Sequence, residues 1–440
     1  MLRILTIATA LALALGGAPL GADWPQWRGP HGNGIADDKN LPDRWSAAEN
    51  VLWKAQLAGL GVSSPIVSGD RVFVTSQVGS GVRRPGNHPR LAQGAAAASA
   101  GERALPVSRD DRTEFVVEAF SRADGRRLWQ YRVEAVGPLP GVHDKHNLAS
   151  PSPITDGQMV YAWFGTGQIV ALDMNGKVVW QRNLGKEVSP FDINWGHSSS
   201  PALFQDSLIL LCDHEPAAYL LAVDKRTGKD RWKTDRGRGR MSYTTPFVVS
   251  TDAGPELIVN SSERVDAYDP RTGTALWHVG GSNQFPIPTP TYHDGIVYMS
   301  RGYRSGPYMA IRPGGRGDIS SSHVVWQVNT GAPYVSSLVY DAGLIYMAND
   351  VGALTAVDAA SGAKVWQERV EGIFSASPVA ADGKIYFVSE TGETIVVRSG
   401  RQPAVIARND IGARLIASPA VSNGQIFLRG DGQLFCVAKK

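Results

Sequence analysis

A phrase ending in tryptophan recurs along this chain and sets what the chain can fold into. Trp129, Trp180, Trp232, Trp277, Trp326 and Trp366 follow one another at intervals of 40–52 residues. Five copies carry a glycine four residues before the tryptophan: Gly125, Gly176, Gly228, Gly273 and Gly362. The fullest copies run from Ala222 through Asp224, Thr227 and Gly228 to Trp232, from Ala267 through Asp269 and Gly273 to Trp277, and from Ala356 through Asp358 and Gly362 to Trp366. The physics is that of a hairpin. The aspartate accepts from backbone N–H groups just ahead of it and starts a turn. The glycine takes the positive φ that the turn needs. The indole then lies on the next strand, with a large apolar area to pack against a neighbouring sheet.

A second hairpin precedes each phrase, turning at Asp156-Gly157 or Asp382-Gly383, for example. No sustained helical period appears after the N-terminus. Each repeat is therefore four antiparallel strands, A to D, and such repeats predict an all-β, eight-bladed β-propeller. The expected blades are 62–135, 149–185, 198–236, 242–281, 287–330, 335–370, 375–409 and a last one from Ala417. Blade 7 lacks the tryptophan, and Ile406 stands at the expected spacing. Blade 8 has three strands before the chain stops. The missing one is expected at the other end, where residues 50–57 form a strand D around Trp53. Pairing the two ends closes the ring and removes an open edge.

With 48 glycines in 440 residues, about 11% against a usual ~7%, tight turns are frequent. A net charge of +3 is mild and does not argue for a nucleic-acid partner, and none is expected. Residues 1–22 read as a secretory signal, with an apolar run from Ile4 to Leu15 that is too short to span a bilayer, and cleavage is expected near Ala22. No other run is long enough to cross. The expected product is a periplasmic or secreted monomer: an extension over 23–49, a propeller over 50–440, and a long loop over 79–112 inserted in blade 1. Cys212 and Cys436 fall in blades 3 and 8, too far apart to bridge, and are expected as buried thiols.

The repeat phrase resembles that of the quinoprotein alcohol dehydrogenases, and equally that of non-catalytic BamB-type assembly-factor propellers. The opening Trp24-Pro25-Gln26-Trp27-Arg28-Gly29-Pro30 and the run Lys145 to Pro153 resemble secreted quinone-repeat propellers described as PQQ-binding-like. The dehydrogenase resemblance implies pyrroloquinoline quinone and a divalent cation as cofactors; the assembly-factor resemblance implies a protein partner. The adjacent cysteines and the haem-binding motif of the dehydrogenases do not occur in this sequence.

The D-to-A links and B-to-C loops share one face, here the top, and are chemically richer than the short turns below. Three segments converge there in expectation: 141–147 with His143, Asp144, His146 and Asn147; 191–197 with Asp192, Asn194, Trp195 and His197; and Asp213-His214-Glu215. Blade 5 adds Arg301, Tyr303 and Arg304, and blade 6 adds Asn349 and Asp350. One reading is an organic-ligand pocket, with Trp195 stacking on a ring and Arg301 and Arg304 holding carboxylates. Another is a metal site from His146, His197, Asp213, His214 and Glu215. A third has these polar groups bonding one another to cap the channel. The Ser-Pro pairs that open the inner strands recur too regularly to mark a nucleophile. The function expected is a binding or assembly scaffold with a top-face ligand site; alternatives are a quinoprotein oxidoreductase acting on alcohols or sugars and, more weakly, a metal-dependent hydrolase.

Overall fold

The apolar runs become strands because side-by-side backbones satisfy one another's N–H and C=O groups while alternate side chains meet the neighbouring sheet. The computed structural model describes residues 23–79, 81, 112–303 and 306–440. The expected signal segment, Arg304 and most of the 79–112 insertion, with Arg83, Arg84, Arg90, Arg103 and Arg109, lie outside the described residues. Eight antiparallel sheets follow one another as the blades of a propeller. Blade 1 is Ile66–Ser68, Arg71–Val78, Glu114–Ser121 and Arg127–Glu134. In blade 8, strands Ala420–Ser422, Gln425–Arg429 and Gln433–Val437 are completed by Val51–Gln56. Trp53 pairs with Cys436 across this junction. The core lies between blades: Tyr161, Trp163 and Trp180 of blade 2 pack against Leu208, Leu210 and Tyr219 of blade 3. Cys212 and Cys436 are buried free thiols.

Each strand-D indole lies on the C-to-D turn of the following blade. Trp53 Nε1 donates to Arg122 O at 2.8 Å, Trp129 to Met174 O at 2.8 Å, and Trp180 to Lys225 O at 2.8 Å. Trp232, Trp326 and Trp366 repeat the contact on Pro270, Ala359 and Gly400. The glycine of the phrase is required twice over. Gly125 has φ +71°, and a Cβ there would lie 2.5 Å from Trp53 Cε3.

Two blades depart from this pattern, each for a visible reason. After blade 4, the C-to-D connection of blade 5 is a long excursion, and its strand Gly317–Asp318 pairs in parallel with Trp277 and His278. Trp277 turns inward and donates to Glu256 Oε2 at 2.7 Å. In blade 7 the register puts Ala407 opposite Val396, where other blades pair the tryptophan, so Ala407 and not Ile406 holds that position. A tryptophan there would have nothing to dock on, because blade 8 has no C-to-D turn: its two outermost strands come from opposite chain ends. Trp45 stacks on Tyr386 instead, at 6.3 Å.

The extension before the closing strand runs beneath the ring. Trp24 bridges to Val67 at the lower end of blade 1, Pro25 O accepts from Thr155 N of blade 2, and strand Ile35–Ala36 adds to blade 7 in parallel. Between these anchors Arg28 is 1% exposed. It donates to Asn33 O, Pro290 O, Thr291 Oγ1 and Leu338 O, knitting blade 5 to blade 6. Trp27 closes the channel from below, with Nε1 3.4 Å from Ser418 Oγ of blade 8.

Deleting residues 45–58 removes strand D of blade 8 together with Trp45 and Trp53; the truncated chain is expected to aggregate, with no cooperative melt by circular dichroism. Trp180→Ala is expected to cost about 3–5 kcal/mol in urea unfolding.

Candidate functional site

The inner strands begin with Ser or Thr, and the structure shows why. The N–H of Ser64 donates to Ser152 Oγ at 2.9 Å, and that of Ser152 to Ser200 Oγ at 2.9 Å. The chain of bonds continues through Thr245, Thr289, Ser337 and Ser377 to Ser418, each link 2.9–3.1 Å. Strand A is the innermost strand, so these N–H groups face the channel and have no ladder partner. A hydroxyl on the next blade satisfies each one. The proline that follows most of these residues lacks an N–H and suits the same edge. The belt accounts for the Ser-Pro repetition without any nucleophile.

Above this belt and Trp27 lies a cavity of ≈ 180 Å³. Its lower wall includes Ser152, Ser200, Thr245, Ser377 and Ser418; its upper wall includes His143, Lys145, His146, Trp195, Tyr243 and Tyr334. Trp195 has φ +106°, a strained value for a residue with a side chain. Gly196, φ +84°, follows it, and a Cβ there would lie 2.5 Å from Val142 and 3.2 Å from His146 Cε1. The turn thus presses the 191–197 link onto the 141–147 link. His143 N–H donates to Trp195 O at 3.0 Å, and the two rings meet edge-on at 6.0 Å. An aromatic arc continues from Trp195 to Phe285, Tyr303 and Tyr334, with centroids 6.4, 5.3 and 5.3 Å apart. Lys145 reaches from the link before blade 2 to Glu390 of blade 7 at 2.8 Å.

The candidate residues therefore divide. His143, His146 and Trp195 reach the cavity, and Tyr303 stands behind Tyr334. Asp144 pairs with His143 Nδ1 at 2.8 Å. Asn147 shapes its own loop, its Oδ1 accepting from Ala149 N, and Asn349 does the same through Val351 and Ala353. Asp192 is exposed and bridges to Glu215, and Asn194 is half-buried. Asp350 Oδ2 accepts from Tyr334 N at 2.9 Å, and burial raises its carboxyl to about 7. Arg301 does not present a free guanidinium: it donates to Asn260 Oδ1, Ser261 O and Gly281 O across the seam of blades 4 and 5.

The five residues read as metal ligands do not assemble. His197 is buried flat against Trp163 at 4.9 Å, with Nε2 on Leu211 O. His214 stacks on Phe191 at 4.1 Å. Both oxygens of Asp213 are taken by Arg236, at 2.7 and 3.0 Å. Among the described residues no group of three or more His, Cys, Asp or Glu is placed to hold a metal ion. A three-ring quinone with three carboxylates does not fit either. The cavity is smaller than the ≈ 300–1,000 Å³ usual for such ligands, and its one charged lining residue, Lys145, would face three carboxylates. Sequence reasoning missed the floor, Trp27, and the cation, Lys145. The opening Trp-rich phrase was the available signal for the first; nothing in the sequence singled out Lys145 from the residues beside it.

Burial lowers three histidines from 6.5: His146 to about 4, with His143 adding to the effect, His197 to about 3, and His214 in the same direction. Unfolded imidazoles titrate near 6.5. As pH falls below that value the unfolded chain takes up protons that the folded chain refuses, so stability is lost down to the folded values. Asp350, raised to about 7, opposes this, and Glu118 and Glu256, raised in the same direction by burial, do so at lower pH, since a raised carboxyl favours folding as pH falls. The melting temperature is expected to drop between about pH 6.5 and about pH 4, and to drop less in His146→Gln.

Comparison with known proteins agrees with this architecture. The family described as outer membrane protein assembly factor BamB matches residues 45–234, 183–316 and 261–402. Tetrathionate hydrolase of Acidithiobacillus ferrooxidans is 25% identical over 358 residues, 77% of this chain, and the match spans 65% of that relative. BamB of Yersinia pestis is 24% identical over 68% of this chain and 70% of its own. Quinohemoprotein alcohol dehydrogenase of Comamonas testosteroni superposes with a TM-score of 0.64 at 12% identity, covering 95% of this chain and 81% of that one, a likeness of fold. With its repeats matched over most of their length, the chain belongs to the BamB-like family of PQQ-repeat β-propellers.

Proposed function

We propose that the mature chain is a periplasmic or secreted binding propeller, a scaffold or assembly module that holds a small ligand in its top-face cavity. One observation carries this reading: the channel is closed below by Trp27 and open above to a wall where a strained Trp195 is held in place by the neighbouring link. Strain of this kind persists where surrounding structure over-determines it and clusters at ligand sites. Loops over a rigid scaffold are where propellers of this kind carry function. The BamB relatives support an assembly role, and the apolar segment at 4–15 supports export.

The quinoprotein reading finds no support in the cavity, whose size and charge do not suit the quinone. The hydrolase reading lacks an assembled ligand set among the described residues.

The test is native mass spectrometry of protein purified from the cell envelope or medium. The expected spectrum shows a chain starting near Asp23 and a small-molecule adduct. His146→Ala and Trp195→Ala are expected to lose the adduct while melting within a few degrees of the wild type. An adduct retained by both variants, or none in the wild type, overturns the site. Pyrroloquinoline quinone retained with calcium, followed by dye reduction with alcohols or sugars, would turn the assignment to an enzyme.

A further inference from the structure

We propose that the cavity above Trp27 takes a small oxyanion with one negative charge, a short carboxylate or sulfonate, held by Lys145 and the hydroxyl belt. This inference rests on the binding reading above and names the ligand class for that site.

The lining has a one-sided polarity. Ser64, Ser150, Ser152, Ser198, Ser200 and Thr245 line one part of the wall, and Ser375, Ser377 and Ser418 another. Among the described lining residues there is no Asp or Glu, and Lys145 carries the one permanent charge. The belt hydroxyls are biased as donors. Ser152, Ser200, Thr245, Ser377 and Ser418 each spend a lone pair on the N–H of the preceding blade. A hydroxyl has one proton to give, and the belt bonds do not use it. A ring of such protons beneath an ammonium suits a ligand rich in acceptors. Trp27, Ile287, Val335 and Ile416 supply apolar wall between them, which strengthens each polar contact.

Charge and volume set the size of the ligand. One ammonium balances one negative charge. A second charge on the ligand would stand uncompensated, with Glu390 and Asp350 just behind the wall. A space of ≈ 180 Å³ corresponds to about six waters at ≈ 30 Å³ each, room for a handful of heavy atoms.

Lys145 can make the exchange at small cost. Its partner Glu390 also accepts from Ser375 Oγ and lies 4.0 Å from Arg414. When the ammonium turns from Glu390 to the ligand, the carboxylate keeps both of these neighbours and is not orphaned. Glu390 therefore competes with the ligand for Lys145.

Isothermal titration of the full mature protein at pH 7 and fixed ionic strength tests this, with methanesulfonate, acetate, sulfate, chloride and glycerol as probes. Methanesulfonate or acetate is expected to bind at least tenfold more tightly than chloride or sulfate. Lys145→Met is expected to weaken that binding roughly tenfold or more, as loss of a charged hydrogen bond does. Lys145→Arg is expected to recover part of it, and Glu390→Gln to tighten it several-fold. Melting curves of each variant separate lost binding from lost fold. Binding of both anions no tighter than chloride overturns the proposal, as does unchanged affinity in Lys145→Met. Tighter sulfate binding overturns the single charge. Preference for glycerol overturns the anionic class while leaving a ligand-binding cavity in place, whereas the binding reading itself falls by the adduct experiment above.

Discussion

An indole laid on a glycine turn is the joint on which the rest of this molecule depends. A single blade buries little on its own, because its two faces are completed by its neighbours. The indole supplies area, and its N–H fixes orientation by reaching one carbonyl on the next blade. The joint is directional, each blade holding the one after it. A directional chain of joints in a ring must either run full circle or break somewhere. It is interrupted after blade 4, where Trp277 turns to Glu256 and the strand Gly317–Asp318 pairs alongside instead, and again after blade 7, where the next sheet is assembled from both chain ends and the hydrogen-bond ladder from Val51–Gln56 to Gln433–Val437 carries the closure.

A second system works nearer the axis. Buried guanidinium groups stitch several seams: Arg236 joins blade 3 to Tyr268 of blade 4, Arg301 joins blades 4 and 5, Arg28 joins 5 and 6, and Arg429 of blade 8 donates to Ser63 and Ser76 of blade 1. At three of these seams the acceptors are mostly backbone oxygens and neutral side chains. The planar, many-donor head of arginine meets several such acceptors at once, which an ammonium does not. Together with the Ser/Thr belt, these groups satisfy backbone that a curved stack of sheets leaves without ladder partners.

The repeat made the architecture legible because it pairs a conformational requirement with a packing one. Gly125 and its equivalents need positive φ, and the tryptophan needs a glycine beneath it, so both leave a mark at fixed spacing. Blade 7 shows the limit. Counting residues pointed to Ile406, whereas the run from Arg398 to Ala407 is one residue longer than the equivalent run from Asp358 to Trp366 and places Ala407 at the equivalent position. The site was legible by segment but not by partner. His146 and Trp195 were found because their links are long and polar, and the cavity gathers them. Arg301 and Asp213 were misread because residue type says nothing of what lies opposite: carbonyl oxygens for one, Arg236 for the other. His197 and His214 turned inward onto Trp163 and Phe191, where a flat ring packs as an aromatic. The role of Trp27 depended on a path beneath all the blades, which no local pattern records.

The strap under the ring has a consequence for how the molecule comes into being. Residues 24–36 are made before the blades they tie together, yet Arg28 needs the carbonyls of Pro290 and Leu338, and Ile35–Ala36 needs the edge of Val379–Ala381. Val51–Gln56 waits longer still, for Gln433–Val437. Segments made before the blades they tie together thus wait for them, and Gln433–Val437 must exist before the wheel can be locked. Until then an unpaired strand edge and two tryptophans, Trp45 and Trp53, stand without their partners.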